Sequence, residues 1–152
     1  MHEVFQLPGT AIDGSDVCCL GTQLARVVAA ISQIRGDLEW YAADVDPYHG
    51  VFPMDGSEPV LVGSSARLME QLSNVSQFLR GVFLAVEEGS AAPRFRNDID
   101  TEDALDADLG DAVIEVRAFD STYIEIHNCD ATVSEQISRI FGVAPLGHTP
   151  VA

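Results

Sequence analysis

Residues 112–128, Ala-Val-Ile-Glu-Val-Arg-Ala-Phe-Asp-Ser-Thr-Tyr-Ile-Glu-Ile-His-Asn, decide the fold. Side chains alternate across a strand, so Ile114, Val116 and Ala118 share one face while Glu115, Arg117 and Phe119 share the other. The second half repeats the pattern, with Ile124 and Ile126 set against Tyr123, Glu125 and His127. Directly opposed residues must point to the same side of a sheet, and a one-residue slip would turn a whole strand over. A two-residue loop at Asp120-Ser121 would set Arg117 against Ile124 and is rejected. A three-residue loop, Asp120-Ser121-Thr122, pairs Phe119 with Tyr123, Ala118 with Ile124, Arg117 with Glu125, Val116 with Ile126 and Glu115 with His127. One face of this hairpin is dry and packs on a core. The other carries an aromatic pair and two charged or hydrogen-bonding pairs, and reads as a solvated ladder or a binding surface.

Outward from the hairpin, apolar periodicity and turn residues set the remaining elements. Residues 2–7 read as a strand stopped by Pro8-Gly9, and the Gly-, Ser- and Asp-rich stretch to Asp16 reads as loop. Leu24, Val27, Val28, Ile31 and Ile34 recur at helical spacing between a Thr22 cap and Gly36. Residues 38–45 read as a strand ended by Asp46-Pro47, because proline cannot continue a ladder. Residues 46–58 read as loop, 59–62 as a short strand, and 64–79 as a helix lined by Leu68, Met69, Leu72, Val75, Phe78 and Leu79. The mostly apolar run 82–87 suits a central, buried strand. The final helix is predicted to start at a capping box, Thr132-Val-Ser-Glu135, and to close at Gly142. The order β-α-β-β-α-β-β-β-α implies an α+β sandwich, with helices on one face of a mainly antiparallel sheet. Residues 1–142 form one domain in this reading and 143–152 a flexible tail.

Charge is the strongest compositional feature. The chain of 152 residues has 24 acidic residues against eight basic ones, all arginine, for a formal net charge of −16. That charge argues against a nucleic-acid ligand, whose phosphates require clustered Lys and Arg, and against an anionic membrane surface. No apolar run reaches the ~20 residues that span a bilayer, and the N-terminal residues lack the pattern of a signal peptide. Three cysteines, Cys18, Cys19 and Cys129, an odd number with two adjacent, argue against a disulfide framework and fit a reducing cytoplasm.

Five sets of residues could carry chemistry. Asp44, Asp46 and His49 close the tryptophan strand and offer oxygen and nitrogen donors to a divalent cation, the one cofactor the residues suggest. Trp40, Tyr41, Tyr48 and Phe52 could line a small-ligand pocket. Cys18-Cys19 with His127 contain a thiol and a base, but nothing in the spacing brings them together, and packing is the simpler role for the cysteines. The acidic run holding Asp98, Asp100, Asp103 and Asp106 fails as a calcium loop, since Asp103 stands where glycine is needed and Leu109 where glutamate is needed. It suits a lure for a basic groove instead. Glu115, Arg117, Phe119, Tyr123, Glu125 and His127 supply the arginine and aromatic mixture favoured at interfaces.

In general character, a small acidic chain without a catalytic constellation resembles bacterial antitoxin and immunity proteins that neutralise a basic enzyme. The resemblance rests on charge and character, covers no motif and carries over no residues. The expectation is a non-catalytic protein-binding module using 98–111 and the charged hairpin face against a basic protein partner. The alternative is a small metal-dependent hydrolase or ligand-binding protein built on Asp44, Asp46 and His49.

Overall fold

The computed structural model describes residues 3–53, 59–89, 94, 110–128 and 130–146. Ten elements follow one another: β1 (Glu3–Leu7), α1 (Gly9–Ile12), α2 (Gly21–Ile34), β2 (Leu38–Gly50), β3 (Val60–Ser64), α3 (Ser65–Ser73), β4 (Val75–Glu87), β5 (Ile114–Phe119), β6 (Tyr123–Asn128) and α4 (Ala131–Phe141). The strands form one sheet in the order β1-β6-β5-β4-β2-β3, with every neighbouring pair antiparallel. This is the α+β architecture expected from the sequence, with the single-turn α1 added in a stretch read as loop. Among the described residues no helix is long and apolar enough to cross a membrane.

The hairpin has the register derived from its faces, from Phe119 opposite Tyr123 to Glu115 opposite His127. Asp120 and Ser121 both take left-handed conformations, with φ of 47° and 57°, and Thr122 N–H donates to Phe119 O at 2.9 Å. Paired left-handed residues give a turn whose twist matches the flanking strands.

The helices cover one face. Leu24, Val27, Val28 and Ile31 of α2, Leu68 and Leu72 of α3, and Val133 and Ile137 of α4 are buried in one cluster with Phe5, Trp40, Phe83, Ile114, Val116, Ile124 and Ile126 of the sheet. Trp40 is wholly buried, and its indole N–H donates to Ser65 Oγ at 2.8 Å. Gly21 opens α2 where a Cβ would lie 2.1 Å from both Leu72 O and Val75 O, so no larger residue fits at this crossing.

Three boundaries differ from the sequence reading, and each has a tertiary cause. The helix expected over 64–79 stops at Ser73, and Val75–Leu79 are strand, because β2 continues to Gly50 and pairs with them. Pro47 does not end β2. The described residues of β3 pair with β2 only between Glu39 and Ala42, so Pro47 lies on a stretch without a second partner strand, beside register shifts that absorb it. The cap of α4 is Asp130 rather than Thr132: Asp130 Oδ1 accepts Thr132 N–H at 2.9 Å. Gly142 closes α4 in a left-handed conformation, φ 66°, as its position predicts. Beyond it Leu146 N–H donates to Val4 O at 2.7 Å, which lays the chain against the outer edge of β1. Residues 147–152 lie outside the described residues.

Candidate functional site: the buried polar face of the hairpin

The register places three rows of side chains on the face turned away from the helices. The first runs Leu61, Tyr41, Leu84, Glu115, His127, Val4; the second Ala43, Val82, Arg117, Glu125, Gln6; the third Arg80, Phe119, Tyr123. The β2 and β4 half of this face is apolar, and Ala43, Val82, Leu84 and Ala112 form a second buried cluster there. The β5, β6 and β1 half is polar and ionisable.

That polar half is buried. Glu115, Arg117 and His127 are 0 % exposed and Glu125 is 1 % exposed, as deep as the core on the helix side. The ionic part of the face read as a solvated ladder or docking surface is therefore interior, while Phe119 and Tyr123 are half-buried. Arg117 Nε donates to Glu115 Oε2 at 2.6 Å, and the guanidinium and carboxylate form an ion pair. His127 Nε2 and Glu125 Oε1 lie 2.6 Å apart, and Gln6 Nε2 donates to Glu125 Oε2 at 3.3 Å. The opposed pairs expected from the sequence are neighbours in register, but these two short bonds run along each strand, from residue i to i+2. A buried charge needs a partner within bonding distance, and charge-assisted bonds of this length are the strong kind. Phe119 and Tyr123 stack at the turn end of the hairpin, with ring centroids 5.2 Å apart and planes 5° from parallel. Burial, helped by the Glu125 carboxylate, pushes the Tyr123 phenol above its ordinary range.

The other candidates do not assemble. Asp44, Asp46 and His49 form no metal-binding cluster. Arg80 takes both carboxylates instead, its Nε 3.8 Å from Asp44 Oδ1 and its Nη2 3.7 Å from Asp46 Oδ2, while the His49 ring rests edge-on against Tyr48. A guanidinium between two carboxylates supplies the positive charge that a cation would have provided. The four aromatics do not share a pocket: Trp40 points into the helix side, Tyr41 lies on the opposite face, Tyr48 is half exposed, and Phe52 packs against Phe78 and Phe83. Cys18 and Cys19 are buried and donate to Leu7 O and Tyr123 O, away from the His127–Glu125 pair. Asp98, Asp100, Asp103 and Asp106 lie outside the described residues. At the ends of that connection, Asp111 Oδ2 accepts Arg94 N–H at 2.6 Å and Asp111 N–H donates to Arg94 O at 2.7 Å.

Sequence reasoning missed one further polar centre. Arg35 sits 3.0 Å from both Asp37 and Asp130 and 3.5 Å from Glu87, tying the end of α2 to β4 and to the cap of α4. Asp37 is local, but Glu87 and Asp130 come from segments far along the chain, so no local signal marks the centre. No protein-family model matches the chain, and no curated protein or solved structure matches it either.

Proposed function

We propose that this protein is a non-catalytic binding module for a basic protein partner, working as antitoxin and immunity proteins do by occupying a cationic surface. The reading is carried by where the positive charge is spent. Arg117 is buried on Glu115, Arg35 is held by three carboxylates, Arg80 lies between Asp44 and Asp46, and Arg94 is paired with Asp111. With eight arginines against 24 acidic residues, internal pairing leaves the excess of carboxylates to define the outward field. Such a field speeds encounter with a cationic partner and repels other acidic surfaces. The free thiols of Cys18 and Cys19 suit a reducing cytoplasm. Because the hairpin's ionic pairs are interior, the docking surface is sought elsewhere in the chain, and Asp98, Asp100, Asp103 and Asp106 are the first residues to test.

The test is capture of partners by the tagged full chain from lysate of its own source, washed across a salt series and identified by mass spectrometry. The expected result is a stoichiometric basic protein whose association rate falls roughly tenfold or more between low and about 0.5 M salt. Conversion of the four aspartates to asparagine should weaken that capture and flatten its salt dependence. Unchanged affinity and salt dependence in the fourfold variant would remove the acidic segment from the docking surface, and recovery of the chain alone at low salt would overturn the reading.

A further inference from the structure

Cys18 and Cys19 are successive residues placed where three strands and a helix meet. In an extended chain adjacent side chains point to opposite sides. Here Cys19 is left-handed, with φ of 64°, an uncommon conformation for a residue other than glycine, and the two thiols interact with each other. The backbone is pinned around them: Phe78 N–H donates to Cys19 O at 2.8 Å and Gln77 Nε2 to Cys18 O at 2.9 Å. The thiols bridge separate strand ends, Cys18 Sγ donating to Leu7 O at 3.5 Å and Cys19 Sγ to Tyr123 O at 3.3 Å. Both precede the first turn of α2, whose N-terminal dipole favours a thiolate.

We propose that Cys18 and Cys19 are an oxidative modification site, at which a hydroperoxide converts the dithiol to a disulfide between neighbours in sequence. The Cys18 thiolate attacks the peroxide oxygen, giving a sulfenic acid and releasing hydroxide; Cys19 sulfur then displaces the hydroxyl, forming the S–S bond and releasing water. Two thiols are oxidised and one peroxide is reduced. The chemistry of the pair fits this division of roles. When Cys18 ionises, the Cys19 S–H turns from Tyr123 O to the Cys18 sulfur; that bond lowers the Cys18 thiol below its ordinary range and, with burial, pushes Cys19 up. Once Cys18 is a neutral sulfenic acid, the anion that holds the proton on Cys19 is gone.

Cys18 is 2 % exposed and its neighbour Val17 52 %, so the route proposed for peroxide, little larger than water, is beside Val17. Successive Cα atoms stand about 3.8 Å apart, shorter than the roughly 4.4–6.8 Å usual for disulfides, so the ring is strained and thiols reopen it. The device is therefore reversible. Closing it consumes both S–H donors, so Leu7 O and Tyr123 O lose their partners and the junction of β1, β6 and α2 loosens.

The test is titration of the folded full chain with hydrogen peroxide, in wild type and in a Cys129→Ser background, followed by alkylation and peptide mapping. The expected product is a monomer whose peptide containing Cys18 and Cys19 is two hydrogens lighter and resists alkylation until dithiothreitol is added. Cys18→Ser should abolish that product. Oxygen added to single cysteines, disulfides to Cys129 or between chains, or thiols that react only after unfolding would each overturn the proposal. If Cys129→Ser does not fold, mapping of the oxidised wild type gives the same decision.

Discussion

The two faces of the sheet bury side chains to equal depth with opposite chemistry. Toward the helices, Ile114, Val116, Ile124 and Ile126 lie among Leu24, Ile31 and Ile137. Away from them, Glu115, Arg117, Glu125 and His127 alternate with those same residues and are just as dry. Apolar burial stabilises in proportion to area, at about 25 cal/mol per Å², and hardly depends on orientation. Ionic burial is conditional: desolvation takes several kcal/mol per ion, and the return depends on a partner at bonding distance. The first face should therefore tolerate small volume changes, and the second should tolerate none that removes one member of a pair.

The largest contrast is expected at Arg117. Arg117→Ala strands the Glu115 carboxylate in the interior and should destabilise by about 3–5 kcal/mol, seen as a lower urea midpoint. A loss below about 1 kcal/mol would place the pair in solvent. Next comes Asp130, which both caps α4 and holds Arg35. Asp130→Ala should lose about 1–2 kcal/mol.

The Thr132 hydroxyl and Arg35 hold the Asp130 carboxyl below its ordinary range, and Arg35 does the same for Asp37. A carboxylate lowered in the folded state adds stability above its unfolded pKa, and that contribution is lost as pH falls through the folded value. Stability should thus decline on acidification below the usual carboxylate range, and Asp130→Asn should decline less steeply; equal slopes in pH-dependent melting would remove Asp130 from the effect.

On the apolar face Ile126→Val, next to the ionic residues in sequence, should lose only about 0.5–1.5 kcal/mol. The smallest change is a gain. Ser121 sits in the left-handed region at φ 57°, so Ser121→Gly should raise stability by about 0.5 kcal/mol in the same urea titration, and a loss would show that the Ser121 side chain contributes to the turn.

Much of this was legible in the chain. Alternation at 114–128 contains the hairpin's register, because a one-residue slip mixes faces and the three-residue loop sets each charged residue opposite a suitable partner. The burial of the charged face was not in the hairpin itself. A signal lay in β4, where Val82–Val86 are apolar at every position, the pattern of a strand covered on both sides, but nothing local says that β4 lies beside β5. The ends of β2 and α3 were misread for the same reason. Pro47 and the periodicity of Val75 and Phe78 are local signals, and the pairing of residues 46–50 with 75–80 overrides them. At the candidate site, the sequence supplied the ionic residues and their opposed positions, while the bonds along each strand and the Arg35 centre depend on contacts between distant segments.

A double-mutant cycle on Glu115 and Arg117 tests most directly whether the hairpin's ionic face is interior. Glu115→Leu, Arg117→Met and the double variant are compared by urea unfolding. An interior pair predicts that Arg117→Met loses about 3 kcal/mol or more and that the double variant recovers most of it, because no uncompensated charge is left behind. Near-zero single effects that simply add would contradict it and return this face to solvent, where a docking partner could reach it.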